Sequence, residues 1–177
     1  NCFKEVNSKN KNHIIFIWSS IEGVIKNFRA LMLNEKVNLR DLYKEVDEYI
    51  NIIKQLSTKT DYLIINSWTL PENTKGKYLS DYTDEMGLSR NINLINSKIS
   101  EQLAKQKNII YLNIDFWIKN YNFNYNPKLW YAAKIPFSQK VFEIAAEEFN
   151  NIVKGFEGQN KKLIILDLDN TLWGGIL

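Results

Sequence analysis

Short apolar runs alternate along this chain with longer segments that have the periodicity of amphipathic helices. The apolar runs are 13–18, 62–66, 108–115 and 163–169, and the helical segments between them are 21–32, 39–56, 91–106 and 139–156. Strands that are apolar throughout are typical of sheets buried on both faces. Strands that alternate with helices predict a parallel sheet. The order of elements therefore predicts an α/β domain with helices on both faces of its sheet.

The composition limits the class of protein and its partners. The 177 residues are 45% hydrophobic and 24% charged, which suffices for one buried core. The single cysteine, Cys2, excludes an internal disulfide framework and favours a reducing compartment. No apolar run is long enough to span a membrane, and the net charge of +3 comes without a concentrated basic patch. We therefore expect a cytoplasmic globular protein that binds neither membrane nor nucleic acid.

Two aspartates end the last apolar run. Asp167 and Asp169 are two residues apart, so on a strand both side chains point to the same side. Ligands bind such sheets at the carboxyl ends of the strands, and carboxylates that converge there favour a hard cation such as Mg²⁺. One carboxylate could attack phosphorus while the other transfers protons, and Thr171 could steady the following turn. The alternative is that Asp and Asn only form the turn after a strand.

The aspartates belong to a longer motif, DLDNTLWGG at 167–175. It resembles the first motif of the haloacid dehalogenase (HAD) phosphatases, and its T-L-W-G-G ending is similar to the FkbH-like subfamily. The resemblance implies that Asp167 is the nucleophile and Asp169 the general acid/base. It also implies that the Asp167 carboxylate and the Asp169 backbone carbonyl bind Mg²⁺. The later HAD motifs would follow Leu177, so we expect 159–177 to begin a HAD-like phosphatase domain.

The upstream sequence also resembles FkbH-like proteins. Four segments stand in the order found in that family: IWSSIEGVIKNFRALM, NSWTLP, LSRNINLINSKISEQLAKQKNIIYLNID and NPKLWYAAKIPFS. The resemblance implies that residues 1–158 form a three-layer domain similar to the SGNH (GDSL-like) hydrolases, with a flavodoxin-like parallel sheet. The first strand and the serine nucleophile of such a domain would precede Asn1. We therefore expect the chain to be a fragment.

An SGNH-type active site also needs an oxyanion-stabilising Asn and a His base. Asn66 could be an oxyanion-type donor, although an Asn at a strand end more often caps a turn. Lys134 stands about where the His would be, and it could bind a phosphate or carboxylate or else be a solvated lysine. The single histidine, His13, begins a strand, and Ser19 has no obvious base nearby. These residues therefore do not supply a Ser–His pair.

Aromatic residues are dense after the second and third apolar runs. They are Trp68, Phe116, Trp117, Tyr121, Phe123, Tyr125, Trp130 and Tyr131. They could wall a substrate pocket, cover the edge of the sheet, or pack on the HAD-like domain. The sequence leaves these three alternatives open.

The resemblance implies a biosynthetic enzyme with two activities. Family members take a glyceryl unit from a phosphorylated three-carbon donor, remove the phosphate and load the unit on an acyl carrier protein. Others occur in surface-polysaccharide pathways. In this interpretation Asp167 and Asp169 carry the phosphoryl step with Mg²⁺, and residues 1–158 position the substrate or the carrier protein. The alternatives are an SGNH-type acyltransferase or esterase with its serine upstream, and a non-catalytic module that docks a carrier protein.

Overall fold

A computed structural model of the chain describes residues 13–70, 81–83, 86–120, 128 and 137–159. Its three strands are β1 (Ile14–Ile17), β2 (Tyr62–Asn66) and β3 (Ile109–Leu112), and they are parallel in the order β1-β2-β3. The helices are α1 (Ile21–Val24), α2 (Lys26–Met32), α3 (Leu39–Ser57), α4 (Leu88–Leu103), α5 (Ile114–Asn120) and α6 (Gln139–Phe156). The α/β class and the first three predicted strands are confirmed. The fourth predicted strand, 163–169, lies outside the described residues.

The central strand of the sheet is β2, which is paired along both of its edges. Its Leu63 lies opposite Ile15 of β1 and Ile109 of β3. The side chains of Leu63, Ile64 and Ile65 are fully buried, although consecutive residues of a strand point to opposite faces. Both faces of β2 are therefore covered, which is why Leu63, Ile64 and Ile65 are all apolar.

Alternate residues of the strands face two different helical layers. Leu63 and Ile65 belong to the larger core cluster, which also contains residues of α1, α2, α3 and α4. On the other face, Phe16 stacks on Phe149 of α6 with a ring-centroid distance of 5.5 Å, and Leu112 packs against residues of α5 and α6. The described part of the chain is therefore a three-layer α/β/α arrangement, as the sequence predicts.

The strand order bears on the expected flavodoxin-like topology. In the doubly wound order 2-1-3-4-5, the first strand lies between the second and the third. In this structure β1 pairs directly with β2, and β2 with β3. Three strands adjacent in chain order also occur in that arrangement, as its strands 3-4-5, and the SGNH-like topology stays a prediction.

Two element boundaries differ from the prediction. The segment 21–32 is two helices, because Ile25 between them has an extended backbone with φ −105° and ψ 102°. Gly23 and the β-branched Ile25 favour helix weakly, and the break accompanies full burial of the Ile25 side chain. The third strand ends at Leu112, and Asp115 lies in the first turn of α5 instead of at a strand end.

Two of the longer helices are preceded by residue types that are common at N-caps. Asn38 Oδ1 accepts a hydrogen bond from the Arg40 backbone N–H at 2.9 Å, which satisfies one of the unpaired donors in the first turn of α3. Ser138 precedes α6 as predicted, but its side chain makes no capping hydrogen bond.

Among the described residues, no helix combines the length and the apolar character needed to cross a membrane.

Helix α2 ends in a Schellman motif. Asn34 has a φ of 60°. Its backbone N–H donates to the Leu31 carbonyl and the Glu35 N–H donates to the Ala30 carbonyl, both at 3.0 Å. The turn that starts the connection to α3 therefore depends on a left-handed residue, a conformation that Asn tolerates better than most side chains.

We expect Asn34→Val to lower the free energy of unfolding by about 1–2 kcal/mol, because a β-branched side chain is strained at this φ. Asn34→Gly should change it by less than about 0.5 kcal/mol, since glycine adopts positive φ without strain. Urea unfolding of both variants measures the difference. An equal loss in both would show that the Asn34 side chain, and not its backbone conformation, stabilises the turn.

Candidate functional site

The carboxyl ends of the three parallel strands meet at one edge of the sheet, where folds of this kind bind ligands. Three connections leave the strands there, beginning at Trp18, Ser67 and Asn113. Side-chain hydrogen bonds at this edge join the connection after β1 to β2, and the connection after β2 to α4 and α5. We therefore take this edge as the candidate site.

Asn66, the last residue of β2, holds the connection that follows β1. Its Oδ1 accepts from the Ser19 backbone N–H at 2.9 Å, and its Nδ2 donates to the Ser19 carbonyl at 2.9 Å and to the Ser67 carbonyl at 2.7 Å. The residue is only 2% exposed. Both N–H donors of the amide are therefore engaged with backbone, an arrangement we call the Asn66 clasp.

These contacts bear on the predicted oxyanion role of Asn66. A ligand oxygen could receive a hydrogen bond from Nδ2 only if a bond to the Ser19 or Ser67 carbonyl were broken. The observed geometry is the turn-capping one that the sequence allowed as the alternative. Substrate binding by Asn66 stays a prediction.

A second asparagine, which the sequence analysis did not single out, holds the connection after β2 to helix α4. Asn96 Oδ1 accepts from the Trp68 backbone N–H at 3.0 Å and from the Tyr111 hydroxyl at 2.8 Å. Its Nδ2 donates to the Trp68 carbonyl at 2.7 Å. Asn96 stands directly after Ile95 in the apolar stripe of α4. A polar residue beside a buried stripe is the sequence feature that could have indicated it.

Two serines complete the hydrogen bonding of this edge. Ser67 Oγ accepts from the Ile114 backbone N–H at 3.1 Å, which places the start of α5 next to the end of β2. Ser19 Oγ accepts from the Trp68 indole N–H at 3.1 Å. Both serines therefore connect loops to one another, in agreement with the loop role predicted for Ser19.

The histidine is far from both serines. His13 precedes β1, whereas Ser19 and Ser67 follow the carboxyl ends of β1 and β2. At about 3.3 Å per strand residue, roughly 20 Å separates His13 from Ser19, so His13 cannot act as the base of either serine.

Among the described residues there is also no group of three or more His, Cys, Asp or Glu side chains that could hold a metal ion.

An open cleft of about 640 Å³ lies between α4 and the ends of β2 and β3. We call it the polar cleft, and its lining residues are Ser67, Asn93, Asn96, Ser97, Ser100, Glu101, Tyr111, Asn113 and Asp115. Among the described residues, the lining includes two carboxylates, Glu101 and Asp115, and no lysine or arginine. The described part of this edge therefore offers hydroxyls, amides and negative charge to a ligand.

The tyrosine of the polar cleft keeps its proton over a wide pH range. Burial raises the pKa of Tyr111 well above the ordinary 10.0, and the Tyr49 phenol and the Asp115 carboxylate add to the rise. Burial also raises the pKa of Tyr49. The nearby Ser19 hydroxyl partly offsets the rise in the pKa of Tyr49, although Tyr49 Oη forms no hydrogen bond of normal geometry. Tyr111 therefore contributes a neutral hydroxyl to the cleft.

The remaining predicted site residues lie outside the described part of the chain. They are the predicted nucleophile Asp167, the acid/base Asp169, and the proposed substrate contacts Thr171 and Lys134. Their roles, and the Mg²⁺ site that the two aspartates imply, stay predictions.

The described aromatic residues of the predicted wall separate into different places. Trp68 is buried in the larger core cluster and Trp117 in the smaller one, so they lie on opposite faces of the sheet. Phe116 is 64% exposed. These three residues therefore do not form one continuous wall. The other members lie outside the described residues: Tyr121, Phe123, Tyr125, Trp130 and Tyr131.

Asn66→Asp should lower the free energy of unfolding by about 3 kcal/mol, because it replaces two donated hydrogen bonds with a buried carboxylate facing two carbonyl oxygens. Asn113→Asp is the matched control. Asn113 is exposed and uses only Oδ1, which accepts from the Asp115 N–H, so its change should stay below about 0.5 kcal/mol. Chemical denaturation measures both variants. If Asn66→Asp and Asn113→Asp lowered the free energy of unfolding equally, the structural role of the Asn66 clasp would be contradicted.

Because the pKa of Tyr111 is raised, the folded state keeps the phenol proton after the unfolded chain has lost it. The resulting stability is fully present below pH 10.0 and falls as the pH rises above that value. Above pH 10.0, Tyr111→Phe should make the free energy of unfolding decrease less steeply with pH, by about 1.4 kcal/mol per pH unit. Unfolding free energies from pH 8 to about 11 test the slope. The control Ile110→Val, which removes a methyl group and no titrating group, should leave it unchanged.

Comparison with known proteins identifies a shared fold. No family model and no curated protein matches the chain. The structure is similar to the crystal structure of the N-terminal part of the protein BF1531 from Bacteroides fragilis, which contains a phosphatase domain and is complexed with Mg. The TM-score is 0.68 at 20% sequence identity, and the match covers 92% of this chain and 42% of that chain. The chain therefore has the fold of less than half of that structure.

Proposed function

We propose that this chain is part of an FkbH-like enzyme of the HAD family that acts on a phosphorylated small acid of the glyceryl type. The enzyme removes the phosphate with Mg²⁺ and loads the acyl unit on an acyl carrier protein, in polyketide or surface-polysaccharide biosynthesis. The observation that carries the proposal is the motif DLDNTLWGG at 167–175, whose two carboxylates have the spacing and the sequence context of a phosphoryl-transfer site.

In this proposal each residue of the motif has a chemical task. The Asp167 carboxylate attacks phosphorus and forms an aspartyl-phosphate, and Asp169 protonates the leaving oxygen and later deprotonates the attacking water. Thr171 steadies the turn that presents both carboxylates. The Asp167 carboxylate and the Asp169 backbone carbonyl would hold Mg²⁺, which would supply positive charge to offset that of the phosphoryl group.

The fold comparison supports the proposal. The similar structure from Bacteroides fragilis contains a phosphatase domain and a bound Mg, and the likeness extends over 92% of this chain. A domain with the present fold would then accompany a phosphatase domain in this protein as well. We assign residues 1–158 to the SGNH-like domain and 159–177 to the start of the phosphatase domain.

The SGNH-like domain would position the substrate or the carrier protein, with Lys134 as a contact to phosphate or carboxylate. The segment 126–138, where the resemblance places the histidine of an SGNH-type site, contains no histidine, which favours this non-hydrolytic role over an esterase.

Phosphate release from a panel of phosphorylated three-carbon acids tests the proposal. It should be measured on the complete protein with Mg²⁺, with and without a holo carrier protein. We expect release that depends on the carrier protein. Asp167→Asn should reduce it by about a thousandfold or more, because the substitution removes the nucleophile.

Asp41→Asn is the matched control, since Asp41 is an exposed residue of α3 and should not affect release. Release that Asp167→Asn leaves unchanged would contradict the HAD assignment. Release that is sensitive to this substitution but indifferent to the carrier protein would retain the phosphatase step and contradict the loading step.

A further inference from the structure

A carboxylate of helix α3 caps the first turn of helix α2. Glu45 Oε2 accepts a hydrogen bond from the Asn27 backbone N–H at 3.0 Å, and Glu45 Oε1 accepts one from Asn27 Nδ2 at 3.0 Å. The residue before α2 is Ile25, whose side chain makes no capping hydrogen bond. The start of α2 therefore depends on a residue that lies 18 positions further along the chain.

The bond to Glu45 takes the place of a bond that a continuous helix would make. In a single helix over 21–32, the Asn27 N–H would donate to the carbonyl of Gly23, four residues earlier. In the structure this N–H donates to Glu45, and Ile25 between the two helices has φ −105° and ψ 102°. The bond to Glu45 and the bond to Gly23 therefore exclude each other.

The buried residues of this segment are compatible with either conformation. Four of its side chains are at most 1% exposed: Ile21, Ile25, Phe28 and Leu31. Their spacing of four, three and three residues also places them on one face of a single helix. A straight helix would keep this apolar stripe together, so the burial of the stripe does not by itself select the broken form.

The break at Ile25 sets the path of the connection that follows β1. This connection, 18–20, leads directly into α1, and its Ser19 is held by the Asn66 clasp. Helix α2 is anchored in the larger core cluster by its own buried residues. Straightening the segment on an anchored α2 would therefore move α1 and the connection relative to Asn66.

We infer that the segment 21–32 has two conformations, the observed pair of helices and a single straight helix, and that the Glu45 carboxylate selects the pair. Glu45 is in this way a positioning residue for the carboxyl edge of the sheet, because it fixes the path of the connection after β1. The inference is independent of the proposed phosphatase function, since it uses no residue of the motif at 167–175.

NMR spectroscopy of the isotope-labelled full chain tests the inference. The three-bond coupling between the amide and α protons of Ile25 is large at φ −105° and small at the helical φ of about −63°. Glu45→Ala should lower this coupling to the helical value and shift the side-chain amide signals of Asn66. Glu48→Ala, at an exposed position of the same helix, is the matched control and should leave both unchanged.

The conservative variant Glu45→Gln separates the hydrogen bond from the charge. Its amide oxygen can still accept from the Asn27 N–H. The Ile25 coupling should therefore stay large in this variant. A fall to the helical value would show that the cap depends on the second acceptor oxygen or on the negative charge, and would still make Glu45 the residue that selects the break.

A second substitution, Lys26→Pro, should lock the broken form without Glu45. Proline is favoured at the first position of a helix, and in a straight helix it would clash with the carbonyl four residues earlier. The residue before a proline prefers an extended backbone, which Ile25 already has. Added to Glu45→Ala, Lys26→Pro should restore the large Ile25 coupling and the Asn66 signals.

Three results would overturn the inference. An Ile25 that stays extended in Glu45→Ala would show that the break does not depend on the carboxylate. A helical Ile25 with unchanged Asn66 signals would contradict the positioning role. If Glu45→Ala does not fold, the double variant decides, because Lys26→Pro should restore folding if Glu45 acts through the break, and continued unfolding would contradict it.

Discussion

The burial of β2 on both faces is the constraint on which the described structure depends. The strand is paired along both edges. Its Leu63 and Ile65 pack in one cluster with residues of α3 and α4, and on the other face its Tyr62 stacks on Phe156 of α6. Such a strand has no solvent-exposed surface for polar residues except at its ends. The polar groups of the sheet therefore collect at the carboxyl edge, where Asn66 and Ser67 stand.

At that edge, buried asparagines hold the loops in place. A loop that leaves a buried strand carries backbone N–H and carbonyl groups that must find partners. An asparagine side chain offers the same donor and acceptor as the backbone, and Asn66 and Asn96 each hydrogen-bond both the N–H and the carbonyl of one loop residue. This use of amides explains why polar residues are fully or partly buried next to the candidate site. It also means that a structural and a ligand-binding role for Asn66 compete for the same atoms.

The predicted phosphoryl chemistry and the polar carboxyl edge of the sheet involve different residues. The motif at 167–175 concentrates the carboxylates expected for phosphoryl transfer with Mg²⁺. The polar cleft is lined, among the described residues, by hydroxyls, amides and the carboxylates of Glu101 and Asp115.

The sequence by itself determined the α/β class, the first three strands, α3 and α6, because the period of apolar residues is a local property of the chain. It also supplied the HAD-type motif, which depends on neighbouring residues only. It missed the break at Ile25, the early end of β3 at Leu112, and the role of Asn96. Only the tertiary structure decided these, because each depends on packing or on a hydrogen bond between residues distant in the chain: Asn96 meets Trp68 and Tyr111 only after α4 has packed beside the strand ends.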